Sequence, residues 1–265
     1  MAASAEIAVE VGLLIEERRR RICELLREEG RVTVDTLATR FGTSQVTIRA
    51  DLSALESAGM LTRTHGGALP TEESDEPLDV KQLQRYAEKV RIAQAAIALI
   101  RDGETIILDS GTTTAEIARA IAKAGFKGIN VITNALNVAA ILMDVESVRL
   151  IVPGGVLRRE SSSLSGPLAE MALANLQADR LYLGADGIDP EIGVMTPHLQ
   201  EAELNAKMIR ISRQVVVVAD SSKFLRRNIS LIAKVDQIHM LITDHAAPAP
   251  AIDELRQRGV EVQLV

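Results

Sequence analysis

From residue 104 to the C-terminus, short apolar runs alternate with stretches of helical periodicity, and this alternation narrows the fold more than any other feature of the chain. The apolar runs fall at 104–109, 129–133, 148–152, 180–185, 214–219 and 238–243, with a last one at 260–265. Helical segments are expected at 112–124, 135–143, 167–177, 200–212 and 251–258. Near-continuous Ile, Val and Leu runs read as strands buried on both faces, and the helices between them supply the crossovers that parallel neighbours require. The expectation is an α/β domain built on a mainly parallel sheet covered on both sides.

Several of these runs end in short polar motifs: "DSGTTT" (109–114), "TN" (133–134), "PGG" (153–155), "GADGID" (184–189) and "ADSSK" (219–223). Ligands of open parallel sheets sit outside the carboxyl ends of the strands, so motifs recurring there point to one shared site. In "TIILDSGTTTAEIARAI" an apolar run ends in a Gly and hydroxyl-rich turn and a helix starts at once. That is how backbone N–H groups at a helix N-terminus hold a phosphate. Ser110, Gly111, Thr112, Thr113 and Thr114 are the candidate cradle, with Lys223 to neutralise charge. Asp109, Asn134, Asp186 and Glu201 are candidate partners for sugar hydroxyls, and Thr133, Gly154, Gly155 and Gly184 lie at the same strand ends. Asp220 fits either a ligand contact or a turn-forming role, and His198 either a pocket edge or a plain loop.

Ahead of this domain, "EERRRRICELLREEG" reads as a helix with Ile15, Ile22, Leu25 and Leu26 on one face, stopped by Gly30. Arg18 to Arg21 form either a DNA-contacting patch or a solvated face paired with Glu16, Glu17 and Glu24. Val34, Leu37, Ala38 and Phe41 then make a short helical face ending at Gly42. A second helix starts after Thr43 or Ser44, carries Val46, Ile48, Leu52 and Leu55, and stops at Gly59. Two helices joined by a tight Gly turn make a helix-turn-helix, and "MLTRTHGGAL" adds a hairpin wing with Gly66-Gly67 at or near its turn. Ser44, Gln45, Thr47 and Arg49 lie at the N-terminal end of the second helix, where base edges are reached. Arg40, Arg63, Thr64 and His65 are candidate phosphate contacts. The acidic, Pro-bounded "PTEESDEPLD" is the natural linker, followed by a helix from Gln82 to Ile100. The expected division is residues 1–69, a linker 70–81, and residues 82–265.

Bulk charge does not advertise nucleic-acid binding: the net charge is −6, and residues 1–70 hold nine Lys/Arg against ten Asp/Glu. Any DNA contact must come from local placement. With no Trp, two Tyr and three Phe, stacking on bases is excluded as a main binding mode. The single Cys23 excludes an intrachain disulfide and fits a reducing cytoplasm. No apolar run is long enough to span a bilayer, so a cytoplasmic protein without a membrane partner is expected. The four His are scattered, and neither a metal site nor a cofactor is expected.

The segment from Arg18 to Leu69, with Thr47-Ile48-Arg49, Asp51-Leu52, Leu55, Gly59 and Gly66-Gly67-Ala68, resembles the N-terminal domain of the DeoR family of bacterial sugar-catabolism regulators. Members commonly carry two adjacent arginines in the recognition helix, and here the second is Ala50. "LDSGTTTAEIAR", the Thr133-Asn134 pair and "EAELNAKM" look most like the amino-sugar subgroup of that family. The second domain also resembles ribose-5-phosphate isomerase. Aligned on "GADGID" and "ADSSK", the first Asp of that enzyme's motif falls on Leu183, its Lys on Thr196 and its Glu on Asn205 or Ala206. The resemblance implies a pocket that binds a phosphorylated sugar or amino sugar without turnover, because isomerisation needs a base in reach of a carbon-bound proton. It further implies a homodimeric or homotetrameric repressor acting on double-stranded operator DNA. The alternative is a sugar-phosphate isomerase or deaminase with a DNA-binding appendage, using Glu201 or Glu203 as base.

Overall fold

The computed structural model describes residues 14–29, 31–57, 60–64, 66–69 and 78–265, in two compact units divided between Asp75 and Glu76. Gly30, Gly59, His65 and most of the expected linker, residues 70–77, lie outside the described residues.

The first unit runs α1 (Ile15–Glu29), β1 (Val32–Thr33), α2 (Val34–Arg40), α3 (Gln45–Ser57), β2 (Thr62–Thr64) and β3 (Gly67–Leu69). Ile22, Leu25 and Leu26 of α1 meet Val34, Leu37 and Phe41 from the α2 region and Ile48, Leu52 and Leu55 from α3 in one core. Helix α2 starts at Thr33, whose hydroxyl accepts from the Thr36 N–H at 3.1 Å, and ends in a turn where Gly42 takes a φ of 57°. Strands β2 and β3 form the expected wing, and β1 pairs with β3 to complete a three-stranded antiparallel sheet. That third strand was not expected, because two residues are too short to show alternation. It explains Gly67: a Cβ there would stand 2.1 Å from the Val32 carbonyl oxygen.

Two expectations for this unit are corrected. Ile15 does not join the core and is 55% exposed; Val46, outside the inward-facing set of Ile48, Leu52 and Leu55, is 72% exposed. The arginine run of α1 is ion-paired, and its main partner comes from another helix. Buried Asp51 of α3 accepts from Arg18 Nε at 2.6 Å and Arg19 Nε at 3.0 Å, while Arg20 and Arg21 pair with Glu24. The pair clamps α3 against α1.

The second unit runs α4 (Leu78–Leu83), α5 (Tyr86–Ile97), β4 (Thr105–Leu108), α6 (Thr112–Ala124), β5 (Ile129–Thr133), α7 (Leu136–Leu142), β6 (Val148–Ile151), β7 (Val156–Arg158), β8 (Ser163–Ser165) and α8 (Pro167–Leu173). It continues with β9 (Ala178–Leu183), β10 (Gly187–Asp189), β11 (Gly193–Thr196), α9 (Leu199–Arg210), β12 (Ser212–Val218), β13 (Ser230–Lys234), β14 (Met240–Thr243), α10 (Ala249–Gln257) and β15 (Glu261–Leu264).

The main sheet has the order β15-β14-β12-β9-β4-β5-β6, and every neighbouring pair is parallel. Side chains alternate between its faces. Ile106, Leu108, Val131, Tyr182, Val216 and Val218 pack against α5, α6 and α7. Ile107, Leu181, Leu183, Val215 and Val217 pack against α8, α9 and α10 on the other face. Burial on both sides is why these strands read as unbroken apolar runs.

Three features differ from expectation. The helix expected from Gln82 to Ile100 is two helices, and the first begins at Leu78, inside the segment expected to be linker. The break is at Arg85, whose φ of 50° is left-handed. It lets α4 turn so that Gln82 donates to Glu116 and the Lys81 carbonyl accepts from the Lys89 ammonium. The β7–β8 hairpin and the antiparallel sheet β10-β11-β13 were also not expected.

Candidate functional site

Chain order along the sheet reverses once. From β4 the chain proceeds through β5 to β6 at one edge, and from β9 through β12 and β14 to β15 at the other. Strands β4 and β9 are therefore neighbours whose following segments diverge to opposite sides, which opens a crevice at their carboxyl ends. Two of the motifs read from the sequence start there: Asp109-Ser110-Gly111 after β4 and Gly184-Ala185-Asp186 after β9.

The two loops are joined by Asp109. Its Oδ2 accepts from the Gly184 N–H at 3.2 Å and from Asn205 Nδ2, on α9, at 3.3 Å. Ser110 Oγ lies 3.5 Å from Oδ1. Gly184 permits this crossing, since a Cβ there would come within 3.1 Å of the Ser110 carbonyl oxygen. Burial drives the Asp109 carboxyl up to about 8, helped by the charges of Glu201 and Asp186 and opposed by the backbone N–H groups of Ser110 and Gly184. The shift favours the protonated form at neutral pH.

Helix α6 begins at the same place. Gly111 is its N-cap with a φ of 135°, and no side chain caps it. Its first-turn N–H groups are the kind that anions occupy. Thr112, Thr113 and Thr114 are buried, and Thr114 Oγ1 donates to the Gly111 carbonyl at 3.1 Å, so that hydroxyl already serves the turn.

A second cluster forms where β7, β8 and α9 meet. Glu201, in the first turn of α9, accepts at Oε1 from Arg158 Nη1 at 3.1 Å and from Ser163 Oγ at 3.2 Å. Arg158 Nη2 also donates to His198 Nε2 at 2.6 Å, which leaves the ring proton on Nδ1, since a guanidinium can only donate. His198 is therefore part of this cluster rather than a plain loop residue. Across β10 and β11, Thr196 Oγ1 donates to Asp186 Oδ2 at 2.9 Å.

At the end of β5, Thr133 Oγ1 accepts from the Ala135 N–H, and buried Asn134 gives its Nδ2 to the Leu164 carbonyl at 3.2 Å. That bond fixes the amide orientation, and Oδ1 accepts nothing among the described residues. Beyond β6, Gly155 has a φ of 142°, and a Cβ there would stand 2.7 Å from the Ser165 carbonyl oxygen; it serves the approach of β8. Gly154 faces open space.

Lys223 lies in a short 3-10 turn after β12 and is half-buried. Asp220 caps that turn, accepting from the Ser222 N–H at 3.0 Å, which is the turn-forming alternative. Lys89, which the sequence did not single out, is buried on α5. Burial lowers its ammonium to about 8, with the charge of Lys223 adding to that and those of Asp220 and Glu116 opposing it. Leu183, at the end of β9, is wholly buried and apolar. Thr196 and Asn205 donate hydrogen bonds to Asp186 and Asp109.

In the first unit, Ser44 Oγ caps the second helix by accepting from the Thr47 N–H at 3.1 Å. The Gln45 amide is engaged at both ends: Nε2 donates to Asp35 Oδ1 at 2.6 Å and Oε1 accepts from Arg49 Nη2 at 2.9 Å. This chain from α2 holds the Arg49 guanidinium on the outer face of α3. Arg63 and Thr64 are exposed on the wing, where the Arg63 N–H donates to Glu56, and Arg40 is half-buried at the end of α2. Among the described residues, no helix is long and apolar enough to cross a membrane, and no three His, Cys, Asp or Glu are grouped to hold a metal.

Known proteins agree with both halves. The family model described as "DeoR-like helix-turn-helix domain" matches residues 18–73, and "DeoR C terminal sensor domain" matches residues 84–245. A protein of Escherichia coli O157:H7 named "Putative aga operon transcriptional repressor" is 44% identical over 94% of this chain and 93% of its own length. The transcriptional regulator GlpR of Haloferax volcanii is 36% identical over 94% and 98%, and the glycerol-3-phosphate regulon repressor of Escherichia coli K12 is 30% identical over 94% and 98%. Ribose 5-phosphate isomerase A of Methanocaldococcus jannaschii aligns over 52% of this chain and 53% of that one, with 20% identity and a TM-score of 0.37. A winged helix-turn-helix joined to a parallel α/β sensor domain, with matches of this extent to regulators, makes the chain a member of the DeoR family of transcriptional regulators, a DNA-binding protein and not an enzyme.

Proposed function

We propose that the chain is a repressor of a sugar or amino-sugar catabolic operon, released from its operator by a phosphorylated sugar. Residues 1–69 bind double-stranded operator DNA, 70–77 link, and 78–265 bind effector and form a homodimer or homotetramer. Ser44, Gln45, Thr47 and Arg49 face the bases, and Arg40, Arg63, Thr64 and His65 hold the phosphate backbone. The effector's phosphate sits on the uncapped N-terminus of α6 among Ser110, Gly111, Thr112, Thr113 and Thr114, with Lys223 supplying positive charge. Asp109, Asn134, Asp186 and Glu201 meet the sugar hydroxyls, with Thr133, Gly154, Gly155 and Gly184 shaping the walls.

The observation that carries this reading is the coincidence of an uncapped helix start with buried polar side chains at the point where the order of the main sheet reverses. Binding without turnover is supported by the engagement of Glu201, whose carboxylate accepts from Arg158 and Ser163. Release requires the effector to favour the state that does not bind DNA, since equal affinity for both states shifts nothing.

The test uses two full-length variants, DNA binding by fluorescence anisotropy and effector binding by calorimetry against a panel of sugar phosphates. Arg49→Ala weakens operator binding and leaves effector affinity intact. Thr112→Ala with Thr113→Ala does the reverse and yields a repressor that no longer releases. Turnover of any sugar phosphate, abolished by changing Glu201 or Glu203, would support the enzyme instead.

A further inference from the structure

Helix α3 exposes apolar surface on the face turned away from its own core. Ile48, Leu52 and Leu55 are buried to 4% exposure or less, whereas Val46, in the first turn, is 72% exposed. Ala50 is exposed as well, and residues four apart stand one above the other on a helix. Val46 and Ala50 thus form a small apolar strip among exposed Gln45, Arg49 and Ser53. Gln45, the residue suited to adenine, has its amide engaged by Asp35 and Arg49.

A major-groove base edge offers one apolar group, the C5 methyl of thymine, and short aliphatic side chains are its natural partners. We infer that Val46 and Ala50 are specificity-determining residues that read a thymine methyl in each operator half-site, beside the base contacted by Arg49. This rests on the proposal that α3 enters the major groove. Position 50 is a small apolar residue without charge, so discrimination at that step comes from methyl burial. Burying one methyl is worth about fourfold in affinity per half-site.

The full-length chain is used to enrich a duplex from a random-sequence library, and the enriched duplex becomes the probe. Each dT is then replaced singly by deoxyuridine, which keeps base pairing and removes only the methyl. At one thymine per half-site the substitution weakens wild-type binding about fourfold. Val46→Ala, at an exposed site, leaves the circular dichroism unchanged, weakens binding to the unmodified duplex by a similar factor and no longer responds to deoxyuridine there. Absence of any deoxyuridine effect above twofold overturns the inference, as does an unchanged effect in Val46→Ala. If no sequence is enriched at all, the DNA-binding proposal itself fails, which is a different result from enrichment without methyl sensitivity.

Discussion

Replacing Asp109 by Asn isolates the buried proton at the centre of the candidate site. The carboxyl is raised from 3.8 to about 8 by burial, with Glu201 and Asp186 adding to it. A carboxyl raised in the folded state binds its proton more tightly there than in the unfolded chain, so its contribution is fully present at low pH. It declines as pH rises above the unfolded value and levels off above the folded one. Between pH 6 and pH 8 this amounts to about 2 kcal/mol of stability lost by the wild type. The amide introduced by Asp109→Asn is uncharged at every pH, as the protonated carboxyl is, and keeps a carbonyl oxygen to accept from Gly184 and Asn205. The wild-type-minus-variant difference in unfolding free energy should therefore shift by about 2 kcal/mol against the wild type over that range. The chain has no Trp, and both tyrosines, Tyr86 and Tyr182, lie in the second unit, so urea unfolding followed by tyrosine fluorescence reports on this domain alone. A difference that stays flat from pH 6 to pH 8 would refute the assignment of a protonated Asp109.

Other outcomes follow from the first unit. Asp51→Ala takes the carboxylate from Arg18 and Arg19 at the α1–α3 junction and should cost about 3 kcal/mol, read as faster hydrogen exchange in both helices with the second unit unaffected. Gly67→Ala pushes a Cβ onto the Val32 carbonyl and should cost about 1–3 kcal/mol, abolishing DNA binding while effector binding persists. Asp35→Ala frees Gln45 from α2 and should weaken operator binding less than Arg49→Ala does; equal losses would mean that Asp35 itself meets the DNA. Arg49→Ala should also reduce the slope of log affinity against log salt if that guanidinium contacts phosphate, and leave it unchanged if it contacts only bases.

The strands of the main sheet and most of its helices were legible because parallel strands buried on two faces leave unbroken apolar runs. The helix start at Thr112 was legible because Gly111 and the hydroxyl residues mark it locally. The helix-turn-helix was equally plain, from Gly42 and the spacing of Ile48, Leu52 and Leu55. Ile15 was misread, since helical spacing reports apolar residues without saying which of them meets a neighbour. The arginines of α1 could not be resolved from the sequence, because Asp51 lies more than thirty residues away.

What the sequence determined, then, are features fixed by neighbours within a few residues: periodicity, turn chemistry, caps, and the positions of polar motifs at strand ends. Strand order was decided only in three dimensions. With it came the pairing of Asp109 with Gly184 and Asn205, the gathering of Arg158, His198 and Ser163 around Glu201, and the burial that raises the Asp109 carboxyl. The reason is physical: hydrogen-bond partners and dielectric surroundings depend on distance in space, and in this chain the groups that set them are separated by up to 96 residues.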